Sequence, residues 1–108
     1  MEGQRSSKIE ERIREIVAQF IEAESNKTAL ITVTRVALGA RGREATIFVT
    51  VMPQTGEESA VNFLKRKRKE LKKLVMKGLG IHPVPFLDVQ IDKGEKARQT
   101  IDALLRSE

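Results

Sequence analysis

Lys65, Arg66, Lys67, Arg68, Lys69, Lys72, Lys73 and Lys77 put eight cations into thirteen residues, with Glu70 as the single acid among them. That window carries +7 while the whole chain carries +5, so everything outside it sums to −2. A cluster of one sign on an otherwise balanced chain is the electrostatic footprint of a surface that binds a polyanion. The bland reading of a charge run is a solvated helix face. Here, however, like charges recur at i,i+4, as in Lys65–Lys69 and Lys69–Lys73, where they repel. Without an anionic partner that repulsion is a net cost, so polyanion binding is the better reading. Arg41 and Arg43, flanking Gly42, form a softer second candidate that ordinary turn charges would explain equally well. Arg5, Lys8 and Arg12 are interleaved with acids and carry less weight.

No other reactive constellation competes. His82 is the single histidine, it stands before Pro83, and cysteine is absent. A lone histidine in a proline-bounded connector fits a surface or packing role better than general-base work. Without cysteine there is neither a disulfide nor a thiolate metal site, and the compartment is unconstrained by redox. The acidic residues lack ligand-like spacing, and no glycine-rich phosphate loop occurs. The expectation is therefore a non-enzyme without cofactor or metal.

Aromatics are limited to four Phe, with no Trp and no Tyr. That argues against stacking bases over an aromatic sheet face as the main binding mode. Met1–Ser7 lacks the apolar core of a signal peptide, and Glu2, Glu10, Glu11 and Glu15 argue against an organellar leader. No apolar run approaches membrane-spanning length. A cytoplasmic location is expected. The basic run could also serve nuclear import or an acidic membrane, but no Trp or exposed Leu accompanies it to enter headgroups.

The elements that must position these cations follow from periodicity. A chain of 108 residues, 40% hydrophobic and 32% charged, is expected to be one α/β (α+β) domain over residues 1–108. Ser7 to Glu10 has capping-box spacing, and Ile9, Ile13, Ile16, Val17, Phe20 and Ile21 form an amphipathic stripe, predicting a helix from Lys8 to Glu24. Ser25-Asn26-Lys27 ends it. Leu30–Leu38 is rich in β-branched residues, Gly39–Arg43 reads as a turn whose glycines can take positive φ, and Ala45–Met52 is the return strand. Pro53 closes that hairpin. Glu57–Leu79 is a second helix, His82–Pro85 an extended connector, Phe86–Ile91 a third strand. Asp92 can cap a last helix, Glu95–Leu105, with Ala97, Ile101, Leu104 and Leu105 as its apolar stripe. The order is α-β-β-α-β-α, a three-stranded sheet backed by helices.

On a straight second helix, Val61, Leu64, Leu71, Leu74, Val75 and Gly78 share the arc that should face the sheet. Lys65, Arg66, Lys69, Lys72, Lys73 and Lys77 share the opposite arc. Lys67 and Arg68 break this division by pointing into or beside the apolar arc, where an unpaired charge is costly. A bend, an overhang of the sheet edge or snorkelling stems would each resolve the conflict. A local irregularity near Lys67 or Arg68 is the favoured solution.

Three stretches resemble the ribosome-binding factor A family. Leu30-Ile31-Thr32-Val33-Thr34-Arg35-Val36 is similar to its "TVT-x-V" strand, and Glu44–Met52 to its "A-x-V-Y-V-S-V" strand. Leu79–Leu87, with Asp92 and the Ile101–Leu105 tail, resembles "L-R-x-x-P-x-L-x-F-x-x-D" and the closing helix. Lys67-Arg68-Lys69 stands where the family usually has an Ala-x-Gly kink between two helices. Gly39–Arg43 stands where it commonly has an acidic "S-x-D". The resemblance implies a KH-like fold of type II order and a monomeric, non-enzymatic assembly factor. Such a factor binds the small (30S) ribosomal subunit and its 16S rRNA late in maturation. A GxxG clamp like that of ordinary KH domains is absent, which disfavours sequence-specific reading of single strands. Two alternatives stay open: a KH-like module for another structured RNA, or an interaction module gripping an acidic protein.

Overall fold

The computed structural model describes residues 2–25, 28–80 and 83–106. The turn expected at Asn26-Lys27, His82 and the last two residues lie outside the described residues. The elements are α1 (Glu2–Glu24), β1 (Leu30–Leu38), β2 (Glu44–Met52), α2 (Glu57–Arg66), α3 (Arg68–Leu79), β3 (Phe86–Ile91) and α4 (Lys93–Arg106). Single 3-10 turns at Ala40–Gly42 and Gln54–Gly56 join β1 to β2 and β2 to α2.

The sheet order is β1-β2-β3, with β1 and β2 antiparallel and β2 and β3 parallel. A parallel neighbour needs a long crossover, and α2–α3 supplies it. α1 packs on β1, α2 on β2 and β3, and α3 on β3 and α1. Ile13, Val17, Ile47, Val49, Leu64, Leu71, Val75 and Leu87 are the largest fully buried side chains, drawn from both layers. Each such burial is worth about 1.5–3 kcal/mol.

Local irregularities set which side chains face out. Val33 pairs with Val49 but Arg35 pairs with Phe48, so Thr34 is an extra residue in β1. This bulge shifts the alternation: Val33 and Val36, three apart, are both buried, while Arg35 is exposed. At the other end, α3 and α1 approach closely at Gly78. A Cβ there would stand 2.6 Å from Ile16 Cδ1.

Several expectations need correction. The first helix begins at Glu2, not Lys8, so Ser7 is inside it and the Ser7–Glu10 capping box marks no helix start. No proline interrupts the preceding residues, and serine inside a helix costs only tenths of a kcal/mol, up to about 0.7. Glu10 instead turns outward from the helix, and its Oε2 accepts the Leu38 N–H at 2.8 Å. β2 starts one residue earlier than expected, at Glu44. In the hairpin turn, Gly42 has positive φ (66°) but Gly39 does not; Arg41 does, at 61°. The last helix starts at Lys93 rather than Glu95; none of its residues is buried, and Ile101, Leu104 and Leu105 of its apolar stripe are exposed.

Candidate nucleic-acid interface

Glu57–Leu79 is two helices, not one. Lys67 leaves the helical region with φ −91° and ψ 8°, closing α2 and opening α3. Its N–H reaches the Phe63 and Leu64 carbonyls at 3.1 and 3.2 Å, and its carbonyl accepts the Leu71 N–H at 3.0 Å. The break therefore loses little backbone bonding. It falls at the residues whose placement on a straight helix put charge against the core.

What the break gains is visible in Arg68. Its Nε donates to the Leu87 carbonyl at 2.7 Å, on the sheet's outer strand. Its guanidinium lies over the Phe86 ring, 4.4 Å from the centroid, and 3.9 Å from Asp88 Oδ1. A half-buried cation is thus satisfied by an edge carbonyl, a ring face and a carboxylate. Lys67 Nζ sits 3.5 Å from Glu70 Oε1. Two of the eight cations are accordingly engaged within the protein.

Lys65, Arg66, Lys69, Lys72, Lys73 and Lys77 are exposed, and none has an acidic partner among the described residues. They are divided between two helices, Lys65 and Arg66 on α2 and the other four on α3. Arg66 lines a hollow between the end of α1, the start of β1 and α2, with Ser59 and Phe63. Lys72 lines a different hollow, and Lys77 a groove between α1 and α3. Leu74, assigned to the core arc, is 41% exposed in that groove, on the flank of α3 that meets α1.

Lys72 stands with Arg41, Arg43 and Arg68 around a hollow floored by Pro83, Val84, Pro85, Phe86 and Leu87. No acidic residue lines it among the described residues. The hairpin tip is held in place by the Gly39 N–H on Glu44 O (2.8 Å) and the Gly42 N–H on Gly39 O (3.1 Å). The Phe86 N–H donates to Arg43 O at 2.9 Å, which ties the tip to β3. The turn arginines, separated from α3 by some thirty residues in the sequence, thus become part of the same cationic surface. Sequence reasoning gave Arg12 little weight, yet it stands beside Lys77 in the α1–α3 groove. Gly78, the small residue at that crossing, was the available signal.

At the start of α4, away from the basic run, Asp92 organises a second cluster. Its Oδ1 caps α4 by accepting the Glu95 N–H at 3.0 Å, and its Oδ2 accepts the Thr34 hydroxyl at 2.6 Å. Those two bonds, with Arg35 Nε 3.5 Å away, hold the carboxyl below the usual carboxylate range despite its burial. Arg35 also covers the Phe48 ring at 3.8 Å. Its contact with Asp92 ties the bulge in β1 to the start of α4. No group of three acidic, histidine or cysteine side chains able to hold a metal occurs among the described residues. No described helix is long and apolar enough to cross a membrane.

Comparison with known proteins agrees with the resemblance. The family model described as ribosome-binding factor A matches residues 5–105. Ribosome-binding factor A of Corynebacterium glutamicum (strain R) is 32% identical over 108 residues, covering 94% of this chain and 72% of that protein. The Salinispora arenicola protein of the same name is 32% identical over 98 residues, covering 88% of this chain and 63% of its own. The crystal structure of ribosome-binding factor A from Thermus thermophilus superposes with a TM-score of 0.70 at 22% identity, over 80% of this chain and 94% of that one. A Thermus thermophilus homology model fitted into the cryo-EM map of a complex of the 30S subunit with ribosome-binding factor A gives 0.64 at 22% identity, over 74% and 87%. At these identities the structural likeness speaks for the fold, while the sequence match across nearly the whole chain speaks for descent. The chain belongs to the ribosome-binding factor A family.

Proposed function

We propose that this chain acts as a single RNA-binding domain that docks on the small ribosomal subunit and its 16S rRNA during late maturation, without covalent chemistry. The observation that carries the reading is a row of exposed cations, free of acidic partners, on α2, α3 and the β1–β2 tip. Such a surface neutralises backbone phosphates, which supplies affinity and orientation but little sequence readout. Membership in the family, and the 30S complex in which a Thermus relative was fitted, favour the small subunit over other polyanions. Lys65, Lys69, Lys72, Lys73 and Lys77, with Arg66, Arg41 and Arg43, are the phosphate-binding residues in this reading. Arg68 positions the start of α3, and Lys67 forms the break beneath them.

Binding to purified small subunits and to control RNAs across a salt series tests it. Affinity should fall by about 0.9 powers of salt for each duplex phosphate neutralised, and Lys65→Gln/Lys69→Gln/Lys73→Gln should flatten that slope by about two to three. A triple variant that binds as tightly as wild type at every salt concentration refutes the proposed surface. Tighter binding to immature than to mature subunits is expected of an assembly factor. Equal affinity for both would argue for a general RNA binder.

A further inference from the structure

The hollow at the hairpin tip is built differently from the rest of the basic surface. Lys65, Lys69 and Lys73 stand exposed on α2 and α3, suited to tracking a backbone from outside. Arg41, Arg43 and Lys72 instead line one hollow together with an aromatic ring, that of Phe86, which is 54% exposed. Phe86 heads the outer strand, and the Arg68 guanidinium already lies on its ring at 4.4 Å. A duplex backbone offers phosphates to such a rim but nothing to an aromatic floor. An unpaired nucleotide offers both, a charged phosphate and a flat base. Arg41 is held at φ 61°, a conformation that side-chain-bearing residues rarely adopt and that persists where surrounding structure demands it.

We propose that this hollow takes one unstacked nucleotide of the bound RNA, its phosphate between Arg41, Arg43 and Lys72 and its base against Phe86. The inference rests on the RNA-binding reading above and adds to it a preference for a bulge or strand junction over continuous duplex. Stacking on an aromatic ring is sequence-tolerant, because every base has a π-face.

The test uses the full chain with two RNA hairpins that differ by one unpaired 2-aminopurine in the stem. The chain has no Trp and no Tyr, so the probe's emission is read without protein background. The bulged RNA should bind roughly tenfold more tightly than the paired one, with its emission raised on binding as the base leaves its neighbours for the ring. Phe86→Ala should bring that ratio close to one, and Phe86→Tyr should keep it. If Phe86→Ala loses its far-UV circular dichroism, Phe86→Leu, which keeps apolar bulk without a ring, serves in its place. Equal affinity for the two RNAs, or a preference that survives loss of the ring, overturns this inference and leaves the backbone-binding reading standing. Binding of neither RNA overturns both.

Discussion

Arg68 Nε donates to the Leu87 carbonyl at 2.7 Å, joining the first residue of α3 to the outer strand nineteen positions later. On a straight helix this side chain would point into or beside the apolar arc. The break at Lys67 moves it to the sheet edge, where an exposed row of backbone groups needs cover. Arg68→Ala should therefore destabilise the fold by about 1–3 kcal/mol in urea titration, because a partly buried carbonyl loses its donor and Phe86 loses its cover. Arg68→Lys should recover little of this, since an ammonium cannot present a planar fork to carbonyl and ring together. Lys72→Gln, one turn away and exposed, should stay within about 0.5 kcal/mol of wild type.

Asp92 gives the fold a dependence on acid. Its carboxyl titrates below the ordinary value near 3.8, chiefly through the Glu95 N–H, then the Thr34 hydroxyl and Arg35. A depressed folded value means the stabilisation is fully present above the unfolded value and is lost as pH falls through about 4 and below. Asp92→Asn keeps an oxygen for the cap and should mainly reduce the pH dependence below 4. Asp92→Ala should cost about 0.5–2 kcal/mol at neutral pH, with the loss concentrated in amide protection of α4. Denaturation midpoints between pH 3 and 7, alongside hydrogen exchange, check both.

How much of this was legible in the sequence depends on how local its cause is. Leu30–Leu38 and Phe86–Ile91 fall where β-branched content and alternation put them, and Asp92 caps α4 as its spacing implied. The conflict at Lys67 and Arg68 was visible as two charges on an apolar arc, and the helix does break there. What replaced the straight helix was not visible, because the Leu87 carbonyl and the Phe86 ring become neighbours only through the crossover. The division of the cations between hollows was hidden for the same reason. A helical wheel cannot be carried through a residue at ψ 8°. The convergence of Arg41 and Arg43 with Lys72 depends on strand pairing and on the Phe86–Arg43 backbone bond. Glu10 looked like half of a capping box because its partner, the Leu38 N–H, lies on another element.

Gly78 and Ile16 should be energetically coupled. Alanine gains about 1 kcal/mol of helix propensity over glycine, but its Cβ would meet Ile16 Cδ1 at 2.6 Å. Ile16 is nearly buried, so moving that methyl carries an overpacking cost of about 1–3 kcal/mol. Gly78→Ala should thus be neutral to destabilising alone. Ile16→Val removes Cδ1 and leaves Cγ1 at 3.4 Å, so Gly78→Ala should become stabilising in that background. A double-mutant cycle in urea should return a coupling energy of about 0.5–3 kcal/mol. Additive effects would mean that the two helices separate freely at this crossing.

Arg41 should trade stability against binding. A side chain at φ 61° costs about 1–2 kcal/mol relative to glycine, partly offset by the greater freedom glycine gains in the unfolded chain. Arg41→Gly should therefore stabilise the fold by about 0.5–1 kcal/mol while removing a cation from the hollow rim. Arg41→Ala removes the same cation but keeps the strain, so its stability should stay close to wild type. If Arg41 binds a phosphate, both variants should weaken RNA affinity alike and lower the salt slope by about one. Equal affinity losses beside unequal stabilities would separate the charge from the backbone conformation that presents it. Wild-type affinity in both variants would remove Arg41 from the interface, and the positive φ would then belong to the turn alone.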